Sequence, residues 1–125
     1  MALMLIEVSY APEAMAVLVS QGENRQGQVE RMFAVGGCSL LGAWYLNGTN
    51  RAIFIAEGSV DDVHAVALAA LGARSLLACS VTQLTALSGA RPYFARAQAI
   101  RSALGEQAGA PSFLRAEGAP QVPKG

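Results

Sequence analysis

Charge is what this chain has least of. Asp, Glu, Lys and Arg make up 14% of its 125 residues, against about 25% in an average soluble protein. Nine basic residues balance nine acidic ones, so no net field exists to gather nucleic acid or an anionic membrane surface. His64 is the only histidine, and the two cysteines, Cys38 and Cys79, are isolated in apolar surroundings without C-x-x-C spacing. A four-ligand zinc set therefore lacks donors, and the thiols read as small buried residues of a reducing compartment. The segment from Met1 to Glu7 has no basic leader, and no unbroken apolar run approaches the ~18–20 residues that span a bilayer. These absences predict a soluble cytoplasmic protein with neither nucleic acid nor membrane as partner. Gly36-Gly37 lacks the further glycines and the Lys-Ser/Thr of a phosphate loop, so no nucleotide, metal or other cofactor is implied.

Apolar side chains are what the chain has in excess, at 53%. A length of 125 residues corresponds to about one domain. So little charge over so much apolar surface argues against disorder over most of the length, and for burial against a copy of itself.

Leu3 to Tyr10 alternates as a strand, with Met4, Ile6, Val8 and Tyr10 on one side and Leu3, Leu5, Glu7 and Ser9 on the other. Pro12 suits the opening of a helix whose Met15, Leu18 and Val19 recur at helical spacing. Gly22, Asn24 and Gly27 interrupt the pattern before Val29, Met32 and Phe33 restore it, which predicts one broken helix or two in sequence, stopped by Gly36-Gly37. Cys38 to Leu46, the turn Asn47-Gly48-Thr49-Asn50 and Arg51 to Glu57 form a hairpin. Asp61-Asp62 opens a helix with Val63, Val66, Ala67, Ala70 and Leu71 as its buried stripe and Gly72 as its end. Ser75 to Thr85 reads as a fourth strand, with Leu77, Cys79 and Val81 set against Leu76 and Ala78. Pro92 opens an extra C-terminal helix in which Tyr93, Ala97, Ile100 and Leu104 share a face, with Arg91, Arg96 and Arg101 along another line. Residues 1–104 are thus assigned to one domain, and 105–125, rich in Gly, Pro and Ala, to a flexible tail with Phe113-Leu114 as its one anchor.

The order β-α-β-β-α-β is that of an α+β, ferredoxin-like unit, a four-stranded antiparallel sheet with helices on one face. Ala52, Phe54 and Ala56 oppose Ile53 and Ile55 in the third strand, so both faces are apolar. Helices cover one face, and a second subunit's sheet is the simplest cover for the other. The expected assembly is a homodimer or a higher homo-oligomer, two sheets closing toward an α/β barrel.

Several local features add a family resemblance. They are Gly36-Gly37, the pair Trp44-Tyr45, Gly48, the strand Ile53 to Glu57, the acidic pair Asp61-Asp62, and Ala-Leu-Gly at Ala70 to Gly72. In these, Leu3 to Thr85 resembles the GYD domain family, a ferredoxin-like family of the dimeric α/β-barrel group. The family's Gly-x-Tyr-Asp reads Gly48-Thr49-Asn50-Arg51 here, and its Ser-Pro-Lys-Arg segment reads Gly22-Glu23-Asn24-Arg25. The resemblance implies the fold and the dimeric barrel. It implies no particular activity, because the family has no settled general one and fold alone does not fix chemistry.

His64 is the natural acid–base candidate, but it sits off the apolar stripe of its helix, as an ordinary exposed histidine does. Polar groups embedded in strands are the sharper candidates, since burial is costly unless they are paired or used. Glu7, Tyr45 and Arg51 are expected to line a ligand site, with charge-assisted hydrogen bonds from Glu7 and Arg51 and stacking from Tyr45 or Trp44. The competing reading is a structural Glu7–Arg51 ion pair with the aromatics as core or interface anchors. The function that follows is binding of a small apolar or aromatic molecule in a dimeric barrel, whether or not it is an enzyme. The alternative is a non-catalytic oligomerisation or regulatory module.

Overall fold

The computed structural model describes residues 1–22 and 24–105. The chain divides into two units, with the boundary between Thr85 and Ala86.

In the first unit, β1 spans Ala2–Tyr10, and its buried residues are the alternating set Met4, Ile6, Val8 and Tyr10. Strand alternation thus commits one face of β1 to the core. α1 spans Pro12–Gln21 with proline in its first turn. It ends at Gly22, whose φ of +60° lets its N–H reach the Leu18 carbonyl, a left-handed cap that glycine adopts without steric cost. α2 follows as a separate helix, Gln26–Val35. Its entry is fixed by Asn24, whose Oδ1 accepts from the Gln26 N–H at 3.0 Å. The interrupted pattern therefore resolves into two helices.

β2 spans Ser39–Tyr45 and β3 spans Arg51–Gly58. α3 spans Val60–Gly72 and is capped by Ser59, whose hydroxyl accepts from the Asp62 N–H at 3.0 Å. Such a cap is worth about 1 kcal/mol. β4 spans Leu76–Leu84. The sheet order is β2-β3-β1-β4 and every neighbouring pair is antiparallel. The result is an α+β architecture compatible with a ferredoxin-like fold. No helix among the described residues is long and apolar enough to cross a membrane.

The core lies between one sheet face and the helices. β1 and β3 contribute Met4, Ile6, Val8, Ala52, Phe54 and Ala56, α2 contributes Phe33, and α3 contributes Val63 and Val66. Phe33 and Phe54 meet edge to face, with centroids 6.2 Å apart. At the end of α2 a methyl group built on Gly36 would lie 2.3 Å from Val66 Cγ2, so only glycine allows this approach to α3.

β4 departs from simple alternation. Ser9 pairs with Ala78 but Tyr10 with Leu76, so Leu77 is the extra residue of a bulge. Leu76, not Leu77, joins Cys79 and Val81 against the core, and Leu77 is left exposed. This corrects the grouping of Leu77 with Cys79 and Val81.

In the second unit, Leu87–Gly89 forms a single 3-10 turn and α4 spans Arg91–Ala103, exposed throughout. Tyr93, Ala97 and Ile100 keep the expected common face. Arg91, Arg96 and Arg101, five residues apart, advance about 140° at each step and so spread around the helix instead of forming a line. Most of the expected tail, Phe113-Leu114 included, lies outside the described residues.

Candidate functional site

The structure separates the expected trio. Glu7 and Arg51 come together on the sheet face turned away from the helices, Glu7 opposite Ile53 and Arg51 opposite Ser9. Arg51 Nη2 lies 3.9 Å from Glu7 Oε1, with both side chains about half exposed, at 49% and 45%. Such an open pair contributes about 0–1 kcal/mol. Tyr45 pairs with Ala52, a core-side position, and its hydroxyl donates to the Thr49 carbonyl within the hairpin. It faces away from Glu7 and Arg51, so the three do not converge.

Trp44 is the aromatic that shares the Glu7 face. It pairs with Ile53, as Gly42 pairs with Ile55, and a methyl group built on Gly42 would lie 2.4 Å from the indole edge. The ring therefore lies over Gly42, 52% exposed. Gly42→Ala is expected to lift it into solvent, and because Trp44 is the only tryptophan, its emission should shift to the red with little change in far-UV circular dichroism.

On the helix side of the sheet there is a cavity of about 80 Å³. Its walls are apolar: Ile6 and Val8 of β1, Val29 and Phe33 of α2, Phe54 of β3, and Val66 and Ala67 of α3. Tyr10, Arg25, Gln28 and Ser75 supply its polar groups, of which Gln28 is exposed and Arg25 and Ser75 are half-buried, marking the mouth. Hydrogen bonds to the main chain of Tyr10, Ser75 and Arg25 anchor three of them. Tyr10 N–H donates to the Asn50 carbonyl at 2.8 Å, and Asn50 Nδ2 donates back to the Tyr10 carbonyl at 3.0 Å. Ala11 N–H donates to the Ser75 carbonyl at 3.0 Å, joining the end of β1 to the start of β4. Arg25 sits where α2 begins and accepts at its carbonyl from Val29 N–H.

Burial pushes the Tyr10 phenol pKa up, partly offset by the positive charge of Arg25. Burial also raises the pKa of both thiols, with the Asp62 carboxylate adding to it at Cys38. Both cysteines are free and stay protonated near neutrality, unlike the low-pKa thiolates of reactive cysteines. A second hollow lies under α1, lined by Met15, Leu18 and Val19. Tyr10 and Arg25 border it too, and Tyr45 lines it. Tyr45 is thus near a candidate site, though not the one shared with Glu7 and Arg51. His64 is exposed on α3 and lines neither hollow.

Among the described residues no group of three or more His, Cys, Asp and Glu is placed to hold a metal ion. Tyr10 and Arg25 are the site residues that sequence reasoning passed over. A tyrosine at a core position of a strand, carrying a polar handle where its neighbours have none, was the available signal. No protein-family model and no curated protein matches this chain.

Proposed function

We propose that this is a GYD-type protein that binds a small apolar or aromatic molecule in the space between its sheet and its helices, working as a homodimer in the cytoplasm. The cavity carries this reading: an apolar interior with a few polar groups at its mouth is the form small-molecule sites take. Two copies mate through the opposite sheet faces, where Leu5, Ile53 and Ile55 stand only half-buried and Trp44 and Leu3 exposed, and so bring two cavities into one barrel-like assembly. That same face favours the alternative, a non-catalytic oligomerisation or regulatory module in which assembly is the whole function.

Thermal shifts with a panel of small neutral, acidic and aromatic molecules separate the two. A ligand at 100 times its Kd stabilises the folded state by about 2.7 kcal/mol. Ala67, buried on α3 and lining the cavity, is the residue to enlarge. Ala67→Leu is expected to fill the space and abolish the shift while the oligomer stays intact. A panel in which no compound stabilises the wild-type protein leaves the assembly module as the standing reading.

A further inference from the structure

Among the described residues that line the cavity, Tyr10 carries the only buried polar group. From its unpaired hydroxyl we propose that the ligand is a neutral, otherwise apolar molecule with a carbonyl-type oxygen, which accepts a hydrogen bond from Tyr10. The proposal rests on the small-molecule reading above and adds to it the chemical class of the ligand.

The position of Tyr10 follows from strand alternation, which turns it to the core side of β1 with Met4, Ile6 and Val8. The residue is only 9% exposed and borders both the cavity and the hollow under α1. Its main chain is fully engaged, the N–H with the Asn50 carbonyl and the carbonyl with Asn50 Nδ2. Its hydroxyl, by contrast, makes no hydrogen bond among the described residues. A buried polar group without a partner is destabilising, and native proteins nearly always satisfy such groups with protein, water or a ligand.

The chemistry of the missing partner follows from the phenol and the walls. Burial raises the phenol pKa, partly offset by the positive charge of Arg25, so the hydroxyl keeps its proton near neutrality and has it to donate. Arg25 cannot receive that bond whatever else it contacts, because a guanidinium carries donors and no acceptor. Ile6, Val29, Phe54 and Val66 present hydrocarbon to the rest of the molecule. An alcohol would bring a hydrogen of its own among these walls, and a carboxylate a full charge to desolvate. A carbonyl oxygen brings only the acceptor that Tyr10 lacks.

The test compares 3-methylbutan-2-one with 2,3-dimethylbut-1-ene, in which a methylidene group replaces the carbonyl oxygen in the same shape. Binding is followed through the methyl resonances of Ile6, Val29 and Val66 in the wild type and in Tyr10→Phe. The variant is expected to bind the ketone about 5- to 10-fold more weakly than the wild type does. Its affinity for the alkene is expected to match that of the wild type, which also shows that the cavity is intact. Without ligand, Tyr10→Phe is expected to unfold at no lower denaturant concentration than the wild type, since the lost hydroxyl has no partner. Equal weakening of both probes or of neither, or a clear loss of stability in the unliganded variant, overturns the carbonyl while sparing the small-molecule reading. If neither probe moves the wild-type resonances, the carbonyl falls, and the thermal-shift panel decides the wider reading separately.

Discussion

Replacing Phe54 with alanine is expected to lower the free energy of unfolding by about 3–5 kcal/mol, the usual cost of truncating a buried aromatic ring. Phe54 lies in β3, which is flanked by β1 and β2, and its ring meets Phe33 of α2 edge to face. It thus ties the sheet to a helix, and its loss removes both the transfer free energy of the ring and the aromatic contact. Against a total stability of about 5–15 kcal/mol for an ordinary domain, such a change is large enough to read directly in a denaturant titration. The variant has a second consequence. Because Phe54 and Phe33 both line the cavity, truncation enlarges it by the volume of the lost ring. Benzene is expected to stabilise Phe54→Ala more strongly than the wild type. A loss near the lower end of the range, with no response to benzene, would mean that α2 has collapsed onto the sheet.

The parts of the fold that the sequence made legible are those governed by local periodicity. The alternation of Met4, Ile6, Val8 and Tyr10 emerged as the buried side of β1, and the acidic opening at Asp61-Asp62 and the end at Gly72 bound α3. Gly22 closes α1 because a glycine between two apolar stripes can take the left-handed conformation that a break requires. Register is different in kind. Whether Tyr45 faces with Arg51 or against it depends on how the hairpin pairs Tyr45 with Ala52, and nothing in the residues of β2 alone states that parity. The bulge at Leu77 likewise arises from the pairing of β4 with β1, and it moves Leu76 onto the core side although both residues are leucine. The cavity was least legible. Tyr10 and Arg25 are far apart along the chain relative to a helical turn, and they border one space only because β1, α2 and the Asn50 clasp meet there.

The opposite sheet face leads to the second large effect, that of Ile55→Asp on assembly. Ile55 pairs with Leu5 on one side and Gly42 on the other, which puts it in the middle of this face rather than at its rim. If two copies mate there, a two-fold interface brings the same patch from each, and every substitution enters twice. An unpaired carboxylate taken out of water at such a position costs several kcal/mol. In a lone chain, however, residue 55 is only half-buried, so the aspartate can reach solvent and the fold survives. The expected outcome is a wild type sedimenting at twice 12.9 kDa at micromolar concentration and an Ile55→Asp variant at the single-chain mass, with the same far-UV circular dichroism. Glu7 and Arg51 refine the argument, because they stand on the same face as an acid and a base within 3.9 Å. An isologous interface can exchange that weak internal pair for two reciprocal pairs between copies, which desolvation would make worth more than the open pair. Reversing both charges, Glu7→Arg with Arg51→Glu, should then preserve the dimer, whereas either reversal alone should weaken it. A wild-type chain that sediments as a monomer at these concentrations removes the dimer, and with it the barrel, while leaving the cavity on the helix side untouched.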